Sequence, residues 1–343
     1  GVSNSRGALI QVRLDPAGAI TRIETVHDGS DVAELAGATD VALSPDGAYL
    51  YVTSTNRDMA LTGNDLSEVE RRGDAPLAVV TGNLLVFALG DNGVDHVQTL
   101  TSGVGPVSGL RGAKRVISSA DGRYVYVAAV PSNVNNSAIA LFRRDADNGE
   151  LSFVERVQDG LGTLGNESNV IRDISRLHLT ADGRHLYVLS QGSKSQSLPQ
   201  QQALARFDVD GGSGKLHFAQ VMRAVDLGSA TPVVPALLGA RDFVATPADT
   251  GFYLVADTGI VQFSRALNGS LSQVATWPSA TTVPAQALAM DVWGARLYFV
   301  DAEAGVHVYT RQWSDGSLLH LYSLPAASTA APDTLLHTGR LAE

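Results

Sequence analysis

Short runs of β-branched and aromatic residues recur along the chain, each broken by Asp-Gly or a relative. Three copies are close: Val41–Val52 reads Val-Ala-Leu-Ser-Pro-Asp-Gly-Ala-Tyr-Leu-Tyr-Val, and Val116–Val127 and Leu177–Val188 repeat the pattern around Asp121-Gly122 and Asp182-Gly183. Phe243–Val255 and Leu288–Val300 are weaker copies. Asp-Gly tolerates the positive φ of a tight turn, so each phrase predicts a β-hairpin, strands a and b. A second phrase lies between the copies, with alternating apolar positions and a glycine-containing turn: Leu84–Leu89, Ile139–Arg144, Leu204–Val209, Ile260–Arg265 and Val306–Arg311, with Leu9–Leu14 as a sixth version. It predicts a second hairpin, strands c and d.

Four antiparallel strands joined by short turns make a propeller blade. The expectation is an all-β fold, a single β-propeller domain over residues 1–343 with six four-stranded blades. The repeats fall near 39–101, 112–158, 172–224, 239–276 and 286–323. The sixth is composite, joining residues 1–38 to the C-terminal tail, so that strands from both termini close the ring and remove an exposed edge. Thr334–Glu343 matches strand a poorly, and a seventh blade would have to be a degenerate repeat within 56–82. The a–b hairpin, the more continuously apolar of the two, is expected innermost.

The phrase Ser44–Ser54 (Ser-Pro-Asp-Gly-x-Tyr-x-Tyr-Val-x-Ser) and the Asn148–Leu151 hairpin (Asn-Gly-Glu-Leu) resemble the lactonase-type β-propellers, related to the YVTN surface-layer repeats. The resemblance spans nearly the whole chain and rests on turn and core residues. It implies a propeller, and either a lactone hydrolase or a non-enzymatic surface protein, since the family holds both. The enzymes are typically seven-bladed and carry a His-Pro-His or Pro-x-His segment, whereas six repeats and no such segment are found here.

Composition narrows the function classes. A hydrophobic content of 44% supports a buried core, and no apolar run approaches the ~18 residues of a membrane span. The net charge of −10 argues against a nucleic-acid partner. With no cysteine, a disulfide scaffold, a thiolate metal site and a cysteine nucleophile are excluded. The eight histidines show no metal-ligand spacing, so no metal is expected, and no motif calls for a cofactor. Gly-x-Ser-x-Gly is absent, Asp145–Leu151 lacks the spaced carboxylates of a Ca²⁺ loop, and Gly211–Lys215 reads as a β-turn. Low charge and abundant small residues point to an exported bacterial protein, extracellular, at the cell surface or periplasmic. The opening Gly1-Val2-Ser3-Asn4, which reads as the tail of a strand, points to a piece of a larger surface protein.

Candidate chemistry gathers just before strand a. Aligned on the turn glycine, that position holds Asp40, Arg115, Arg176 and Asp242, with Ala287 in the last copy. Such a ring would bind a small acidic or hydroxylated ligand, or its charges would pair with one another as a plug. His178, two residues beyond Arg176, is the candidate general base of a lactonase, or else a satisfied interior histidine. Long connections at 56–82, 159–173, 191–202 and 225–238 are expected on one face with the ring, where a protein or small ligand would dock. The first of them carries Arg72-Gly73-Asp74, a cell-attachment tripeptide that chance also supplies at this Arg, Gly and Asp content. The residues favour an adhesin-like binding module; the alternative is a lactonase of a sugar or organic acid with its site at the channel mouth.

Overall fold

The computed structural model describes residues 7–15, 19–29, 31–32, 34–56, 81–90, 93–131, 136–159, 170–192, 201–225, 233–279, 285–303 and 305–325. Arg72-Gly73-Asp74, the C-terminal segment expected to supply a closing strand, and most of the four long connections lie outside them. The described residues form an all-β structure, with a 3-10 turn at Pro235–Leu237. Contact density divides the chain into two compact units, Gly1–Leu161 with Gly212–Lys215, and Gly162–Gly211 with Leu216–Glu343.

The first unit holds a two-stranded sheet, β1 (Ala8–Leu14) and β2 (Ile20–His27), and two four-stranded meanders. One meander is β3 (Ala38–Leu43), β4 (Tyr49–Asn56), β5 (Thr81–Gly90) and β6 (Gly93–Thr101). The other is β7 (Ala113–Ser118), β8 (Tyr124–Ala129), β9 (Ala138–Arg144) and β10 (Leu151–Gln158). The second unit holds three meanders. They are β11 (Ile174–Leu179), β12 (His185–Ser190), β13 (Ala203–Val209) and β14 (Leu216–Arg223); β15 (Asp242–Ala245), β16 (Gly251–Ala256), β17 (Gly259–Arg265) and β18 (Leu271–Trp277); and β19 (Ala285–Met290), β20 (Arg296–Asp301), β21 (Val306–Arg311) and β22 (Leu318–Leu324). Every pairing is between strands consecutive in sequence and antiparallel, the order of propeller blades, and each repeat read from the sequence yields its own sheet.

The repeated phrase explains the a–b turn. Ser44, Ser119 and Thr180 each bond the turn aspartate, Asp46, Asp121 or Asp182, at 2.5–2.6 Å. The same carboxylates accept the N–H of Ala48, Arg123 and Arg184, and the glycine that follows stands at φ +67 to +69°. Glycine alone adopts that φ without steric cost. The Asp46 carboxyl is held at about 2 by its hydrogen bonds from Ser44 and Arg144, which outweigh its slight burial.

Burial is deepest in the two middle strands of each blade: β8, β12 and β16 are buried at every position, while β3, β7 and β11 are only partly covered. Strand a is therefore less apolar in its surroundings than the sequence pattern implies, because it is a sheet edge with one hydrogen-bonding side free. The cores lie between neighbouring sheets within each unit. Tyr51, Val86, Val125 and Phe142 make one; Tyr187, Leu204, Phe243 and Phe252 another; Tyr253, Leu288, Phe299 and Tyr309 a third.

Polar stitches run through these cores. Tyr187 Oη donates to Gly269 O at 2.5 Å and accepts from Arg265 Nε at 3.1 Å, and Arg265 also lies 3.5 Å from the turn carboxylate of Asp182. Tyr253, Gly316 and Arg311 repeat the arrangement one blade on. Tyr51 differs: its buried Oη has no partner among the described residues. Tyr187→Phe should therefore lower the unfolding free energy by about 1–3 kcal/mol, whereas Tyr51→Phe should be neutral or stabilising, both read by urea denaturation. Equal losses in the two variants would refute the stitch.

Candidate functional site

Four of the five a–b pairs carry a register shift immediately before the position aligned in sequence: Ala38/Asp40, Ala113/Arg115, Ile174/Arg176 and Ala285/Ala287. A bulge re-aims the side chain that follows it. The charges at this position fall in both units, and within each an aspartate serves the edge of the next strand a. In the first unit, Asp40 Oδ2 accepts the N–H of Val116, which directly follows Arg115, at 3.0 Å. Arg115 Nη1 reaches Lys114 O at 3.4 Å.

In the second unit the buried Asp242 does more. Its Oδ2 accepts the N–H of Leu288 at 2.9 Å, and its Oδ1 accepts that of Phe243 at 2.9 Å and lies 3.2 Å from Arg176 Nε. Both oxygens are thus committed to the fold. Arg176 keeps two terminal nitrogens for which the described residues offer no partner, and its side chain is 26% exposed.

Arg176 and His178 alternate along β11, so both project from the same face. They line a cleft of ≈ 370 Å³ between β11 and β15, together with Phe243, Thr246, Pro247 and Asp249. His178 Nε2 lies 2.7 Å from Asp249 Oδ1, and the imidazole packs edge-on against Phe252 and Phe243 at 5.5 and 6.4 Å. An ionised carboxylate can only accept, so Nε2 carries the proton in the neutral ring and Nδ1 carries the lone pair. Among the described residues Nδ1 has no hydrogen-bond partner.

Asp249 is the cleft residue that repeat matching overlooks. It occupies the turn position that Gly47, Gly122 and Gly183 hold in other blades: its N–H bonds Thr246 O as theirs bond Ser44, Ser119 and Thr180. It does so at φ +52°, the left-handed region, where a non-glycine residue costs of order 1–2 kcal/mol and aspartate is among the better tolerated. Its second oxygen accepts the N–H of Ala181 at 2.7 Å. The signal in the sequence is Thr246-Pro247-Ala248-Asp249, an aspartate exactly one place later than in Ser44-Pro45-Asp46-Gly47.

Burial pushes the Asp249 carboxyl up, but the hydrogen bonds from His178 and Ala181, with the charges of His178 and Arg265, more than offset it and hold it below the ordinary carboxylate range. The folded chain then binds fewer protons at this site than the unfolded chain. The stability it contributes is complete above the unfolded value of ~4 and is lost as pH falls through the lower folded value. Urea midpoints measured down this acid limb should fall less steeply in Asp249→Asn than in the wild type.

Among the described residues no group of three or more His, Asp or Glu side chains is placed to hold a metal ion, and no helix is long and apolar enough to cross a membrane. No family model and no curated protein matches the sequence. Solved structures do. A protein assigned as a 6-phosphogluconolactonase from Bacteroides uniformis ATCC 8492 is similar with a TM-score of 0.59 and 17% identity, over 94% of this chain and 83% of that one. A protein from Lactobacillus plantarum gives 0.58 and 18%, over 93% and 82%. A second protein assigned as a 6-phosphogluconolactonase, from Bacteroides fragilis NCTC 9343, gives 0.51 and 14%, over 95% and 96%. At these identities the likeness carries the architecture: the chain has the fold of the lactonase-type β-propellers.

Proposed function

We propose that the cleft between β11 and β15 hydrolyses the lactone of a hydroxylated or phosphorylated organic acid. The observation that carries this reading is the His178–Asp249 pair, 2.7 Å apart, beside Arg176 in a ≈ 370 Å³ cleft. A base oriented by a carboxylate is the arrangement that activates a nucleophile, and the cleft volume falls within the range of small-molecule sites.

The chemistry follows from the proton positions. Asp249 holds Nε2–H, so His178 Nδ1 takes a proton from water as that water adds to the lactone carbonyl. The tetrahedral adduct collapses, the ring C–O bond breaks, and the alkoxide takes the proton back from Nδ1. The product is the open hydroxy acid. The terminal nitrogens of Arg176 suit a carboxylate or phosphate elsewhere on the substrate, a bidentate contact that Lys could not reproduce.

Similar folds among proteins assigned as 6-phosphogluconolactonases support this reading over the adhesin-like one, whose loops and Arg72-Gly73-Asp74 lie outside the described residues. Of the four charges aligned in sequence, Arg176 is the one proposed to meet substrate; Asp242 positions it. Hydrolysis of aldonic δ-lactones, with and without a phosphate, is measured above the buffer rate. His178→Ala should lose about 10²–10⁴-fold in kcat. Arg176→Met should raise KM for the phosphorylated lactone more than for the neutral one. Unchanged turnover in a folded His178→Ala, or no lactone turned over by the wild type, would overturn the proposal.

A further inference from the structure

A second histidine–carboxylate pair lies away from the cleft, in the blade formed by β19–β22. Asp301 ends β20, and its Oδ1 accepts the N–H of Glu303 and of Gly305 at 2.9 and 2.8 Å, which fixes the turn into β21. Its Oδ2 is left for His307 Nε2, at 2.9 Å. Both side chains are 7% exposed, and the imidazole stacks on Phe299 with ring centres 4.4 Å apart and planes 20° from parallel. The other ring nitrogen, Nδ1, lies 2.7 Å from the Oγ of Ser323, the cross-strand neighbour of His307 on β22.

A bulge completes the group. The β21–β22 register skips Leu321, so that Tyr309 pairs with His320 and Val308 with Tyr322. The extra residue turns His320 to the face of Ser323, and His320 Nε2 sits 3.0 Å from the same Oγ. The proton directions are then forced. The Asp301 carboxylate accepts from His307 Nε2–H, leaving Nδ1 of the neutral ring as an acceptor. Ser323 has one proton, which goes to Nδ1, so its oxygen accepts from His320 Nε2–H. Burial pushes the Asp301 carboxyl up, but the bonds from His307, Gly305 and Glu303 outweigh it and keep it ionised at neutral pH. Ser323 itself is exposed. A buried acid and base thus polarise a hydroxyl that solvent can reach, the spacing and roles of a nucleophilic serine.

We infer that Ser323 is the nucleophile of a second, esterase-type site that takes small unhindered carboxylic esters, with His307 as general base and Asp301 as its positioning residue. Ser323 Oγ adds to the ester carbonyl while its proton passes to His307 Nδ1. The C–O bond to the leaving alcohol breaks, and that alcohol takes the proton. Water then adds to the acyl-serine, its proton passing to Nδ1, and collapse releases the acid and restores the Ser323 hydroxyl. The site is independent of the lactone-hydrolysis proposal, sharing no residue with it.

The probes are p-nitrophenyl acetate and an alkyl fluorophosphonate, with peptide mass spectrometry to locate the label. Ser323 should be modified by both, and Ser323→Ala, an exposed substitution that spares the core, should lose that modification. His307→Gln should slow acylation about 10²-fold or more. Asp301→Asn should slow it at least about 10-fold through the wrong tautomer. The wild-type rate should rise with pH to a plateau, as a general-base step requires, and Asp301→Asn should keep that plateau. Absence of label on Ser323, a folded His307→Gln that reacts at the wild-type rate, or a wild-type rate that climbs with hydroxide without a plateau would each overturn the inference. The pH profile needs no variant, so it decides even if the histidine substitution does not fold.

Discussion

Each blade begins with an edge strand, and an edge strand leaves a row of backbone N–H groups without a ladder partner. Where those groups are buried, as at Val116 and Leu288, leaving one unsatisfied costs about 1–3 kcal/mol. Carboxylates from the preceding blade meet them, Asp40 taking Val116 and Asp242 taking Leu288, while Asp249 takes the exposed turn N–H of Ala181 in the opposite sense. The inner edges can then approach one another without a continuous sheet between them. The tyrosine–arginine–turn stitches do the same for the glycine carbonyls of the c–d turns.

The His178–Asp249 pair arises where this scheme is altered by one residue. In four blades the αL position of the a–b turn is a glycine, Gly47, Gly122, Gly183 or Gly294; in the blade of β15 it is Asp249. The change costs backbone strain and places a carboxylate where a glycine would have offered only backbone. That carboxylate still closes the neighbouring turn through Ala181, and its second oxygen fixes the tautomer of His178. Strain retained at one copy of a repeat, and used by a neighbouring titratable side chain, is the pattern expected of a functional site.

Bulges are the second device. The c–d pairs of all five four-stranded sheets shift register near the middle, at Val86/Phe87, Phe153/Glu155, Arg206/Phe207, Gln262/Phe263 and Val308/Tyr309. In most blades the shift only adjusts twist. In the last it brings His320 and Ser323 to one face opposite His307, assembling a hydrogen-bonded chain from residues that alternation alone would have set apart.

The blade order and the hairpin turns were legible in the sequence, because turn chemistry and period-two hydrophobicity are local properties that repeat; the partial cover of strand a was not, because it follows from that strand lying at a sheet edge. His178 and Arg176 were legible as candidates too, as polar residues two places apart on a strand that also carries Ile174, Leu177 and Leu179. Their partners were not. Asp249 is 71 residues from His178 and sits in a turn that looks like a degraded copy of its relatives, so only the packing of β11 against β15 made it a ligand for the imidazole. The roles of Asp40 and Asp242 were likewise hidden, since the donors they accept from are backbone N–H groups that carry no sequence signal. Nor does any strand pattern announce Ser323: a bulge shifts facing by one residue without changing composition, and only the folded register shows which side chains it brings together.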